Sequence, residues 1–114
     1  MDKLRALVIA GALLATSGAA MAERVYVKSR GEVDLDTFAC EAVARSSANV
    51  RRICYDAKQQ YLLVSLSGVW YHYCNVPAAT VGEFRRSSSK GRFYNDSIRL
   101  HYECTATVQV PTPR

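Results

Sequence analysis

The sequence predicts a small, disulfide-stabilised α+β domain: an antiparallel β-meander of three to four strands packed by one main helix. Three observations carry this expectation. Two β-rich runs, Tyr61 to Leu66 and Val69 to Cys74, flank Ser67-Gly68, a pair suited to a tight hairpin turn. Pro77 then leads an apolar stripe at helical spacing, Ala78, Val81 and Phe84. Four cysteines in a chain of 114 residues offer the covalent bracing that a small core needs.

The first twenty-two residues read as a signal peptide rather than as part of the domain. Lys3 and Arg5 form a basic start, Ala6 to Ala15 an apolar stretch, and Ala20-Met21-Ala22 a small-x-small cleavage pattern that makes Glu23 the mature N-terminus. The apolar stretch is short for a membrane span, which takes about 20 residues. The reading is therefore export to the periplasm or the medium of a bacterium, with no stable membrane insertion once the leader is removed. The mature chain divides into an N-terminal extension over 23–45, a domain over 46–104 and a C-terminal tail over 105–114.

Along the mature chain, Val25 and Val27 suit a short alternating strand. Glu32 to Ala44 is ambiguous: Asp34 or Asp36 could cap a short helix through Phe38 and Val43, yet Val33, Leu35 and Phe38 also suit an extended segment. Val50 to Tyr55 is β-rich and ends in the polar turn Asp56-Ala57-Lys58-Gln59. A two-residue hairpin loop at Ser67-Gly68 sets Leu66 opposite Val69, Val64 opposite Tyr71 and Leu62 opposite Tyr73. Cross-strand partners share a face, so Tyr71 and Tyr73 join the aliphatic row as core residues. Trp70, His72 and Cys74 fall on the other face, beneath the extension. The helix after Pro77 should end at Ser87-Ser88-Ser89, with Gly91 free to take positive φ beyond it.

Without the leader the chain keeps thirteen basic and nine acidic residues, a net charge of +4, which favours anionic partners without specifying one. Cys40, Cys54, Cys74 and Cys104 are spaced by fourteen, twenty and thirty residues, with no CxxC, so they read as two disulfides rather than as a zinc or redox motif. His72 and His101 are far apart and lack a partner at ligand spacing, so no metal or other cofactor is expected. His72 and Cys74 are i and i+2 on one strand and do not touch, and a bridged cysteine is no nucleophile. No catalytic constellation emerges, and the expectation is a non-enzymatic protein.

Taken as one ordered pattern, Ser46-Ser47, Tyr55-Asp56, Gly68, Tyr71-x-Tyr73, Val76-Pro77, Phe84, Ser89-x-Gly91-x-Phe93-Tyr94-Asn95 and Ile98-Arg99 resembles the KTSC domain. The similarity runs from about Ser46 to Tyr102. It implies a compact domain of unestablished function for which RNA binding has been suggested, through the occurrence of the domain at the C-terminus of some lysyl-tRNA synthetases. The export signal, the extension carrying Cys40 and the added cysteines set this chain apart as an exported form.

With the segment so delimited, Cys40 and Cys104 flank it, and pairing them would close its ends and leave Cys54 with Cys74. That pairing is slightly favoured over Cys54 with Cys104 and Cys40 with Cys74. Its obstacle is distance, because the outer strands of a meander lie about 9–10 Å apart, beyond the roughly 7 Å reach of a disulfide.

Two functional readings follow. The first is a binding domain for an envelope protein or an anionic surface, using Arg85, Arg86, Lys90 and Arg92. The alternative is a nucleic-acid module in which Tyr71 and Tyr73, with Phe93 and Tyr94, stack on bases beside the same charges and Arg99. In competition with both, the tyrosines are core residues and the charges an ordinary solvated helix face.

Overall fold

The computed structural model describes residues 22–44 and 49–105. Residues 1–21 of the expected leader, Ser46-Ser47 and the tail beyond Thr105 lie outside the described residues. The element order is β1 (Arg24–Val27), β2 (Gly31–Asp34), β3 (Ala39–Ala42), β4 (Val50–Asp56), β5 (Tyr61–Leu66), β6 (Val69–Tyr73), α1 (Ala78–Arg86) and α2 (Lys90–Phe93). A 3-10 turn, Leu35–Thr37, links β2 to β3, and a π-helical turn, Tyr94–Ile98, continues α2.

All six strands form one mixed sheet in the order β2-β1-β6-β5-β4-β3. The expected three to four strands become six because the extension supplies three of its own. Each of those is four residues long, and only β1, with Val25 and Val27, shows its alternation in sequence. The ambiguous stretch resolves as strand, 3-10 turn, strand, with the Asp34 carboxylate accepting from the Asp36 amide at 2.9 Å.

The central hairpin has the register expected of it: Leu66 opposite Val69, Val64 opposite Tyr71 and Leu62 opposite Tyr73. Ser67 and Gly68 both take positive φ, 51° and 89°, as a type I′ turn requires. Both faces of this hairpin are covered, which is why Tyr61 through Ser65 are all buried. On one face Ile53, Leu62, Val64 and Tyr73 pack against Val81 and Phe84 of α1 and Tyr94 and Ile98 of the π turn. On the other, Cys54, Tyr61, Leu63, Trp70 and Cys74 pack against Val27, Val33 and Leu35 of the extension. Each such aliphatic side chain contributes roughly 1.5–3 kcal/mol on burial, so the extension supplies a real share of the core.

β2 lies at one edge of the sheet and β3 at the other, so the 3-10 turn carries the chain across the second face. Polar contacts tie the crossing down. Thr37 Oγ1 donates to the buried Asp56 carboxylate at 2.7 Å. The Arg52 guanidinium donates to both carboxylate oxygens of Glu23, at 2.7 and 3.1 Å, and lies over the Trp70 ring at 5.3 Å. The Arg52 hydrogen bonds hold the Glu23 carboxyl below the usual carboxylate range.

The disulfides join Cys40 to Cys54 and Cys74 to Cys104, correcting both expected pairings. Cys40 and Cys54 are directly opposed on β3 and β4, with Cα atoms 4.0 Å apart. The close cross-strand approach of antiparallel partners makes this bridge possible. Cys54 cannot reach Cys74, because β4 and β6 lie on opposite sides of β5. Cys104 instead reaches Cys74 because the chain after the π turn returns to the end of β6: the Cys74 amide donates to the Tyr102 carbonyl at 2.8 Å, and Tyr73 pairs with Glu103.

α1 begins just after Pro77, whose φ of −65° and ψ of 149° make it the capping residue rather than a member of the first turn. The helix ends at Arg86, with Ser87 capping it. One main helix was expected, with a further short extended or helical piece between Phe93 and Tyr102; the structure has a second helix, α2, that starts earlier and runs into the π turn. Ser89 accepts from the Arg92 amide and starts α2, so Gly91 lies inside a helix and needs no positive φ.

Candidate binding recess

The residues singled out from the sequence do not converge on one surface. Tyr73 is buried, its hydroxyl paired in a short hydrogen bond with that of Tyr94, their rings edge to face at 5.9 Å. Burial first, and then the Tyr94 hydrogen bond, push the Tyr73 phenol far above its ordinary pKa, so Tyr73 stays neutral. Phe93 stacks on Phe84 at 5.4 Å and faces inward. Of the four rings of the suggested stacking platform, Tyr71 alone is both half-open and free of an aromatic partner, with the Lys28 ammonium 5.7 Å above it.

The cations divide as well. Arg85 turns back onto the extension, donating to the Ala39 carbonyl at 2.9 Å and approaching Glu41 at 3.5 Å. Lys90 donates to the Ser87 carbonyl at 3.0 Å and so closes the end of α1. Arg86 and Arg92 remain exposed. Arg85 therefore acts as a clasp between α1 and the edge strand β3, not as part of an open basic face.

What the fold does assemble is a recess of about 330 Å³ between the turn end of the central hairpin and the segment from Gly91 to Arg99. Leu66 and Tyr71 form its sheet side, and Gly91, Asn95 and Arg99 its helical side. Asn49 stands at the mouth with its carboxamide oxygen 3.3 Å from the Ser67 hydroxyl, and the buried Tyr94 lies at the base. No residue lining the recess is acidic. Its polar groups are one guanidinium, two carboxamides and phenolic hydroxyls, a set rich in hydrogen-bond donors and suited to an oxyanion. The volume falls at the small end of ligand-sized cavities.

Asn49 and Leu66 were not foreseen as site residues, and Asn95 read as a turn residue. One signal could have found the helical side: Gly91, Asn95 and Arg99 recur at four-residue spacing, the spacing of one helix face, although in the fold Arg99 is the extended residue that ends the π turn. Nothing local announces that the hairpin end faces them. Among the described residues there is no cluster of three or more His, Cys, Asp or Glu that could hold a metal ion. No helix among them is long and apolar enough to cross a membrane.

The fold and the recess define a small disulfide-braced α+β domain, with helices on one face of the sheet and an N-terminal strap on the other. The KTSC domain family model matches residues 46–102, half of the chain, and the chain belongs to that family. The matched residues hold β4, β5, β6, both helices and every residue that lines the recess, whereas β1 to β3 lie outside them. The crystal structure of a KTSC domain protein from Yersinia pestis is similar, with 25% sequence identity and a TM-score of 0.53 over 58% of this chain and 92% of that one. No curated protein matches the chain.

Proposed function

We propose that this KTSC protein is an exported, non-enzymatic binding domain that engages an anionic partner of the cell envelope through the recess between Tyr71 and Arg99. The observation that carries the reading is the lining itself: a guanidinium and two carboxamides around an opening with no carboxylate. Exposed Arg86 and Arg92 add positive charge to the helical side of the molecule and would draw an anion in at low salt. Two disulfides fit an oxidising compartment, which supports export.

The test is an NMR titration of the disulfide-bonded chain with poly-glutamate, a protein-like anion, at low and raised salt. The expected result is a set of shifts at Gly91, Asn95 and Arg99 that weakens as salt rises and is lost in Arg99→Gln. Absence of binding at low salt, or shifts spread evenly over the basic residues, overturns the proposal.

A further inference from the structure

The chain leaves the recess through a turn that is unusual in one residue. Arg99 has φ −60° and ψ 130°, Leu100 has φ 68°, and the His101 amide donates to the Ile98 carbonyl at 3.1 Å. These values describe a type II turn over 98–101 with leucine at its third position, where glycine or asparagine normally supplies the positive φ. A leucine there is strained, because its Cβ crowds the backbone. Burial could offset such strain, but Leu100 is 72% exposed. The residue therefore costs stability through its backbone, and its side chain gains little burial to offset that cost. Strained backbone positions cluster at ligand sites and switch regions.

The neighbours say what that ligand would be. Arg99, the second residue of the same turn, lines the recess, and among the described residues its guanidinium has no ion-pair or hydrogen-bond partner. On the sheet side Val69 is 43% exposed and sits opposite Leu66, on the face that also carries Tyr71. The recess thus has an unpaired cation on its helical side and an apolar edge at Leu66, with exposed Val69 opposite Leu66 on the hairpin and an exposed leucine next to the cation in the chain.

We infer that the Arg99–Leu100 turn and this recess form a site for an amphipathic carboxylate, an anion carrying a compact apolar group, such as a peptide C-terminus with an aliphatic last residue. The carboxylate pairs with the Arg99 guanidinium, which can bind it through two parallel hydrogen bonds, and the carboxamides of Asn95 and Asn49 complete its donors. The apolar group lies between the Leu66 edge and Leu100. The inference rests on the proposed recess and adds the chemical class of what enters it.

The experiment uses the disulfide-bonded chain and three probes: N-acetyl-Ala-Leu as the free acid, the same peptide as its C-terminal amide, and octanoate. The free acid should shift the amide signals of Tyr71, Asn95, Arg99 and Leu100, and the peptide amide should bind about tenfold or more weakly for want of the charge-assisted pair. Arg99→Gln should lose a similar factor. Leu100→Gly separates this site from a structural role: it should raise the melting temperature by relieving the left-handed strain while weakening the acids several-fold. Octanoate binding without the peptide assigns the site to alkyl carboxylates and keeps the chemistry. A lower melting temperature in Leu100→Gly, or equal affinity for acid and amide, overturns the inference. If poly-glutamate binds but none of the small acids does, this inference fails and the broader anionic reading stands.

Discussion

The Tyr61 hydroxyl on β5 and His72 Nδ1 on β6 meet at 2.7 Å under the N-terminal strap. The Arg30 guanidinium lies 5.6 Å from the centre of the Tyr61 ring, and Phe38 packs beside it at 6.1 Å. Burial first, and then the Arg30 charge, hold His72 below the ordinary histidine range, while burial pushes Tyr61 up to about 12. The two side chains therefore share one hydrogen bond as neutral groups, the tautomer of the imidazole deciding which of them donates.

Because the folded-state pKa of His72 is lowered, its contribution to stability is fully present above the unfolded value, about 6.5, and is lost as pH falls through the folded value. The melting temperature should drop on acidification from neutral pH through the mildly acidic range. His72→Gln should flatten that part of the profile. An unchanged slope in this variant would place the acid sensitivity elsewhere.

Peptide mapping of non-reduced protein should recover Cys40 with Cys54 and Cys74 with Cys104. Replacing Cys40 and Cys54 together by serine removes a bridge across fourteen residues and should cost about 3 kcal/mol; the thirty-residue bridge should cost slightly more. Urea unfolding of the two double variants measures both values. Reduction of the first pair should also loosen the strap, visible as faster amide exchange in β3.

Tyr73 and Tyr94 satisfy each other in the core beneath the recess. Tyr73→Phe or Tyr94→Phe alone leaves one buried hydroxyl without its partner and should cost about 1–3 kcal/mol. The double variant should cost less than the sum of the single losses, a coupling that a double-mutant cycle reads directly. Strict additivity would mean that the hydroxyls do not depend on each other.

Leu35 is the buried residue of the 3-10 turn that crosses the second face. Leu35→Ala should destabilise the whole domain cooperatively by about 2–4 kcal/mol. If the strap were an appendage, the variant would change local exchange in residues 23–44 and leave the global midpoint in place.

The segment from Tyr61 to Val76 was legible in the sequence because its signals are local. A two-residue turn fixes register, register fixes which side chains share a face, and the alternation of Leu62 and Val64 with Leu63 needs no distant partner. The covering of Trp70 and Cys74 by the extension followed from the same parity. Of the strands of the extension, β1 was legible from Val25 and Val27, β2 only as one of two readings, and β3 not at all. Four-residue strands carry little pattern, and β3 exists only because β4 offers it an edge. The second helix was hidden for a similar reason: Ser89 looked like the end of one helix and is the start of another.

By itself the sequence determined a hairpin, a helix after Pro77, a family pattern over 46–102 and the presence of two bridges. Only the tertiary structure decided which cysteines pair, that Arg85 clasps the edge strand while Arg99 faces a recess, and that Leu100 stands strained and exposed beside it. The reason is physical. Turn chemistry and side-chain parity act over a few residues and are written there, whereas strand adjacency and recess geometry arise from the joint packing of segments far apart in the chain, which no single stretch encodes.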